Sequence, residues 1–274
     1  MTDPDSTFDS AAGLLGRITE ELGTRLGRLP RPRTRPPVHA PTLVAVGHGS
    51  RDPRARATLG RLLDRVRELR PGLDVRLAHI ELNEPLLDGT LSELVEEGRD
   101  AVLVPLLLAP GHHVTHDLPA AARRAGADAR VAEPLGAHPL LVEALADRLV
   151  EAGWTPDEGE GVVLASAGSR DPRSGAEVRR IAALLGERLG GVPVVPAYAS
   201  AAAPTVPEAV RALTARGRRR IAVASCFTAP GLFASRAAVH APWIASDPLG
   251  AHPALARLLL HRYERARVRE LAGI

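Results

Sequence analysis

Short runs of consecutive apolar residues alternate along this chain with longer stretches in which apolar residues recur every three or four positions. "TLVAVG" at 42–47 is such a run, and "RARATLGRLLDRVRELR" after it carries Leu59, Leu62, Leu63, Val66 and Leu69 at helical spacing. The pattern predicts a strand, a loop and a helix. "LDVRLAHI" reads as a second strand, "PLLDGTLSELVEEG" as a second helix and "DAVLVPLLLA" as a third strand. "VTHDLPAAARRAG" reads as a helical or irregular connection, "ARVAEPLG" as a fourth strand and "PLLVEALADRLVEAG" as a closing helix. Strands that are nearly continuous apolar runs, alternating with helices, imply a parallel sheet covered on both faces.

After "WTPDEGEG" the pattern begins again. "GVVLASAGSRDP" mirrors the first strand and its loop, "VPVVPAYASAAAP" the second strand, "RIAVASCFTAPG" the third and "SDPLGAHPALARLLLHRY" the last strand and helix. Ser50 and Ser169 are 119 residues apart, as are Pro85 and Pro204, and "PLGAHP" stands at both 134–139 and 248–253. A tandem duplication explains the constant order and spacing. The expected organisation is an N-terminal extension over 1–40, a first domain over 41–153 that carries the site, and a degenerate repeat over 160–274. The "PRPRTRPP" in the extension is too rich in proline to continue a helix, so that piece is expected to be flexible.

Composition narrows the options. One cysteine, Cys226, excludes internal disulfides, cysteine-rich zinc sites and iron–sulfur clusters. No stretch reaches the ~18 apolar residues of a membrane span, and "MTDPDSTFDS" lacks the apolar run of an export signal, so a cytoplasmic protein without membrane contact is expected. A net charge of +3 with only 3% aromatic residues offers no stacking platform for nucleic acid.

The two copies serve as a control for each other, because positions that serve only the fold must persist in both. Gly49 and Gly168 persist, as do Pro53 and Pro172, and Ser50 and Ser169 are placed to cap the helices that follow. His138 and His252 also persist and are read as structural. Glu84 is read as an acid at a helix start. By contrast His48 becomes Ala167, Glu81 becomes Ser200, His112 becomes Leu232, His113 becomes Phe233 and His116 becomes Arg236. All the candidate ligands of the first half lie near strand ends, the rim where open α/β sheets bind ligands. Two imidazoles and a carboxylate form a donor set suited to Fe²⁺, Co²⁺, Ni²⁺ or Zn²⁺.

"VGHGSRDP", the "IELNEP" after the second strand and "PLLLAPGHHVTHDLP" together resemble the sirohydrochlorin chelatase family, well over 42–152 and as a decayed copy over 161–265. The resemblance implies two tandem flavodoxin-like α/β/α domains with mainly parallel sheets, facing each other across a cleft in one monomeric, pseudo-dimeric chain. It implies sirohydrochlorin as partner and a divalent metal as substrate, Fe²⁺ for sirohaem or Co²⁺ for cobalamin, with no organic cofactor. The family pattern falls on His48, Glu81 and His113 as metal ligands, with His48 and His113 also catalytic and with Asp117 and Pro119 completing the second motif. His112 stands where the family varies. Sirohydrochlorin carries eight carboxylates, so Arg51, Arg54 and Arg123, with Ser50, are candidate substrate contacts. A cytosolic metal or tetrapyrrole carrier on the same scaffold is the alternative. A nucleotide-binding regulator is disfavoured because both phosphate-binding glycine motifs are missing.

Overall fold

Residues 40–157 and 159–271 are described by the computed structural model, so the expectation of a flexible extension lies outside the described residues. The first half runs β1 (Thr42–Gly47), α1 (Pro53–Leu69), β2 (Val75–His79), α2 (Leu87–Glu96) and β3 (Ala101–Pro105). It continues through a π-helical turn (His113–Asp117), α3 (Leu118–Ala125), β4 (Ala129–Val131) and α4 (Pro139–Glu151). The second half repeats this as β5 (Gly161–Ser166), α5 (Pro172–Arg188), β6 (Val194–Tyr198), α6 (Val206–Ala215), β7 (Ile221–Ser225), α7 (Leu232–Ala238), β8 (Ile244–Ala245) and α8 (Pro253–Leu271). Both sheets are wholly parallel, in the order β2-β1-β3-β4 and β6-β5-β7-β8. The βα rhythm read from the sequence thus gives the expected three-layer architecture twice.

Alternate residues of each central strand feed different cores. Leu43 and Ala45 of β1 join Leu164 of β5 and Leu255 of α8 in one buried cluster that spans both halves. Val44 and Val46 face the other way, onto Leu91 and Leu94 of α2 and Leu118 of α3. Val163 and Ala165 do the same with Val206 and Leu213 of α6. The shared core arises because the closing helices cross over: α8 packs on α1 and β3 of the first half, and α4 packs on α5 and β7 of the second. Arg148 of α4 reaches the Leu249 carbonyl at 2.9 Å, and Arg70 meets Glu264 at 2.7 Å. Buried Tyr263 donates to the Pro41 carbonyl at 2.8 Å.

Some local expectations need correction. Asp52 and Asp171, rather than Ser50 and Ser169, cap the first helices: each carboxylate accepts the backbone N–H two residues on, at 2.9 Å. The helices begin at Pro53 and Pro172, so the cap falls one residue earlier, on the aspartates. The serines hold the turn before, their hydroxyls accepting the aspartate N–H at 3.1 Å. Leu69, assigned to the helical stripe, is 50% exposed because α1 ends there and has left the sheet. Glu84 accepts the Leu86 N–H at the start of α2, as expected.

His138 and His252 are helix caps, each Nδ1 accepting an N–H two residues on at 3.2 Å. Burial pushes both imidazoles down from their ordinary pKa. They bind a proton less readily folded than unfolded, so their contribution is complete above the unfolded pKa of about 6.5 and is lost as pH falls from there through the lower folded-state pKa. Thermal melts should therefore show falling stability on acidification below that pH. Replacing both by asparagine, which caps without titrating, should flatten the fall, and an unchanged slope would refute the assignment.

Candidate active site

The loops that follow β1, β2 and β3 meet their counterparts from the second half around one cavity of about 910 Å³. Its lining takes His48, Ser50, Arg51, Glu81, His112 and His113 from the first half, and Ser169, Ser200, Thr228, Pro230, Leu232 and Phe233 from the second. The armed side is imidazole and carboxylate; the opposite side is hydroxyl and apolar.

Backbone packing brings the first two loops together. Gly49 adopts φ +109°, and a Cβ there would lie 1.9 Å from the Glu81 carbonyl oxygen, so only glycine lets the strands' ends close to this distance. The Glu81 N–H donates to the His48 carbonyl at 3.1 Å, and the Ser50 N–H donates to Asn83 Oδ1 at 2.7 Å. These bonds set His48 Nδ1 3.4 Å from Glu81 Oε1. The π-helical turn then presents His113, whose ring stands edge-on to that of His48 with centroids 5.0 Å apart. Asp117 Oδ2 lies 2.6 Å from His113 Nδ1. A carboxylate only accepts, so the proton sits on Nδ1 and the Nε2 lone pair is left for a ligand, the usual outer support of a metal-binding histidine.

His48, Glu81 and His113 therefore come together, with His48 touching both others. They form pairs and not a closed cage: among the described residues no three histidine, cysteine or acidic side chains are gathered tightly enough to hold an ion as they stand. Of the three arginines, only Arg51 lines the cavity. Arg54 is occupied by Asp52 through two bonds of 3.0 and 2.7 Å, and this pairing lowers the Asp52 pKa to about 2. Arg123 is exposed on the last turn of α3, away from the cavity lining. Ser50 bridges the halves, its hydroxyl 3.4 Å from the Pro230 carbonyl.

Sequence reasoning missed two residues. His79, at the end of β2, is 1% exposed and lines the cavity; its Nδ1 makes no hydrogen bond, and burial pushes its pKa down. Asn83 ties the first two loops together. Their counterparts are Tyr198 and Ala202, so the same comparison of copies would have flagged both. Cys226 also lines the cavity, but full burial raises its thiol to about 12, which removes it as a thiolate ligand.

A duplicated parallel α/β fold with donor side chains at the strand ends of one half only defines a two-lobed protein with one armed lobe. The CbiX family model matches residues 42–152 and again 161–266, and the chain belongs to that family. It is 26% identical over 208 residues to the sirohydrochlorin cobaltochelatase of Priestia megaterium, covering 71% of this chain and 66% of that protein. It is 30% identical over 172 residues to the sirohydrochlorin ferrochelatase of Bacillus subtilis, covering 61% of this chain and 66% of that one. The matched region thus spans slightly less than two thirds of each relative. The structure of SirB from Bacillus subtilis with Fe³⁺ shares the fold, with a TM-score of 0.69 and 24% identity over 84% of this chain and 97% of the other. The double match bears out the tandem repeat read from the sequence.

Proposed function

We propose that this protein is a sirohydrochlorin chelatase, a lyase that inserts a divalent metal into sirohydrochlorin, with Fe²⁺ as the favoured substrate ion and Co²⁺ as the alternative. The observation that carries the reading is the juxtaposition of His48, Glu81 and His113 on one wall of a cavity whose opposite wall is hydroxyl and apolar, in a chain of the CbiX family. The relatives named above divide between iron and cobalt, so the choice of metal rests on competition between the two ions.

Insertion requires that the ion lose its water, that two pyrrole N–H protons leave, and that the ring nitrogens take the ion. Neutral imidazole suits the first two steps. The lone pairs of His48 and His113 hold the ion loosely, because the ligand set is open. Each lone pair that releases the ion to the ring is then free to accept a pyrrole proton. Glu81, half exposed beside His48, takes that proton onward to solvent, while Asp117 holds the His113 ring in place. Leu232 and Phe233 offer an apolar surface to a flat ring, and Arg51 is the cation placed to meet a substrate carboxylate. In this reading the lobes 41–153 and 160–274 of a single cytoplasmic monomer take the parts of two chains, with no nucleic-acid partner and no organic cofactor. No helix among the described residues is long and apolar enough to cross a membrane.

The test is an anaerobic assay of purified protein with excess sirohydrochlorin and either Fe²⁺ or Co²⁺, following the metallated product by absorbance. Many turnovers per protein are expected, faster with Fe²⁺. A signal that stops at one equivalent would identify a carrier instead.

A further inference from the structure

The π-helical turn and the residue that caps it carry two more histidines that the mechanism above does not use. His112 and His116 stand four residues apart, and their rings stack with centroids 4.7 Å apart and planes inclined by 13°. Both are exposed, His112 with 73% of its side chain open at the rim of the cavity. Histidines at this spacing on one helical face are a recurrent chelating pair for divalent transition metals.

On His116 a hydrogen bond fixes which ring nitrogen is available. The Thr115 hydroxyl donates its single proton to the Gly111 carbonyl at 3.0 Å, so it accepts from His116 Nδ1, 2.8 Å away. The His116 lone pair is therefore on Nε2. His112 Nε2 lies 3.5 Å from Asp117 Oδ1, within ion-pair reach but without a hydrogen bond that fixes its tautomer, so either ring nitrogen can offer a lone pair. The same Asp117 carboxylate holds His113 through its other oxygen at 2.6 Å. One acid thus links the outer pair to an inner imidazole. At the matching positions of the second half stand Leu232 and Arg236, so the outer pair, like the inner one, belongs to the armed half alone.

Resting on the chelatase reading, we propose that His112 and His116 form an outer station that captures an aquated divalent cation at the mouth of the cleft and passes it to His113. The stacked rings splay to share the ion, which their exposure permits. His112 is more open than His113, with 73% against 40% of its side chain exposed, so an ion arriving from solvent meets the outer pair first. Capture there exchanges part of the water shell for imidazole before the ion reaches His113, dividing one costly dehydration into two smaller ones.

The test uses Co²⁺ alone as probe, titrated into the full chain by calorimetry and visible absorbance. In His48→Ala/His113→Ala protein, Co²⁺ binding is expected to persist and to disappear on adding His112→Ala/His116→Ala. Loss of all binding in the inner double variant would overturn the outer station while leaving the turnover assay to judge the chelatase reading. In otherwise intact enzyme, His112→Ala/His116→Ala is expected to raise the KM for metal proportionally more than it lowers kcat; a change confined to kcat would equally overturn the proposal. Failure of the wild-type chain to turn over, with Co²⁺ still bound by the outer pair, would remove the chelatase reading and keep the metal pair.

Discussion

Replacing His48 or His113 by alanine is expected to slow metal insertion about a hundredfold or more, the scale on which a positioned proton acceptor acts, with little change in melting temperature. The two rings are 5.0 Å apart at the cavity wall, each partly exposed, and neither carries the packing of a sheet. Truncating partly exposed side chains of this kind costs within about 0.5 kcal/mol. His252→Ala is expected to do the reverse. It removes a buried helix cap that is no part of the cavity lining, at a cost of about 1 kcal/mol, so the rate should hold while the melting temperature drops. Rates of the alanine variants at 48 and 113 are to be compared with circular-dichroism melts of the same samples. A near-normal rate in either would remove that imidazole from the mechanism.

A second large effect is expected at the paired glycines. Gly49 and Gly168 have φ of +109° and +91°, and a Cβ on either would sit 1.9 Å from a carbonyl oxygen, of Glu81 in one case and of Ser200 in the other. Gly49→Ala and Gly168→Ala should each cost about 2 kcal/mol or more through backbone strain and displacement. The structural damage should be similar, because the two loops share their conformation. Only the first displaces Glu81 and the backbone carbonyl of His48 bonded to it. Assayed below both melting transitions, Gly168→Ala should keep most of the activity that Gly49→Ala loses. Equal losses would show that the second lobe's loop takes as large a part in the chemistry as the first.

The strands and most helices were legible because the central strands are nearly continuous apolar runs and each long helix carries a clean stripe. His48, Glu81 and His113 were legible for a different reason: the second copy shows what the fold retains when the chemistry is absent. Amphipathic spacing could not show the crossing of α4 and α8, because a stripe states that a face is buried and not which sheet buries it. Arg54 looked free in sequence, since its tie to Asp52 depends on where the helix begins. His79 was hidden because it closes the strand VRLAH, where a polar residue at the end reads as the start of the loop.

The exchange of closing helices carries a consequence for how such a gene can age. Each lobe roofs its neighbour, so a chain cut after residue 153 would leave β3 without the helix that covers it. Erosion could strip imidazoles from the loops with which the second lobe lines the cavity and still be held to the leucines beneath them. Whatever its wall adds at the cavity, the fused partner is held in place by the roof it lends.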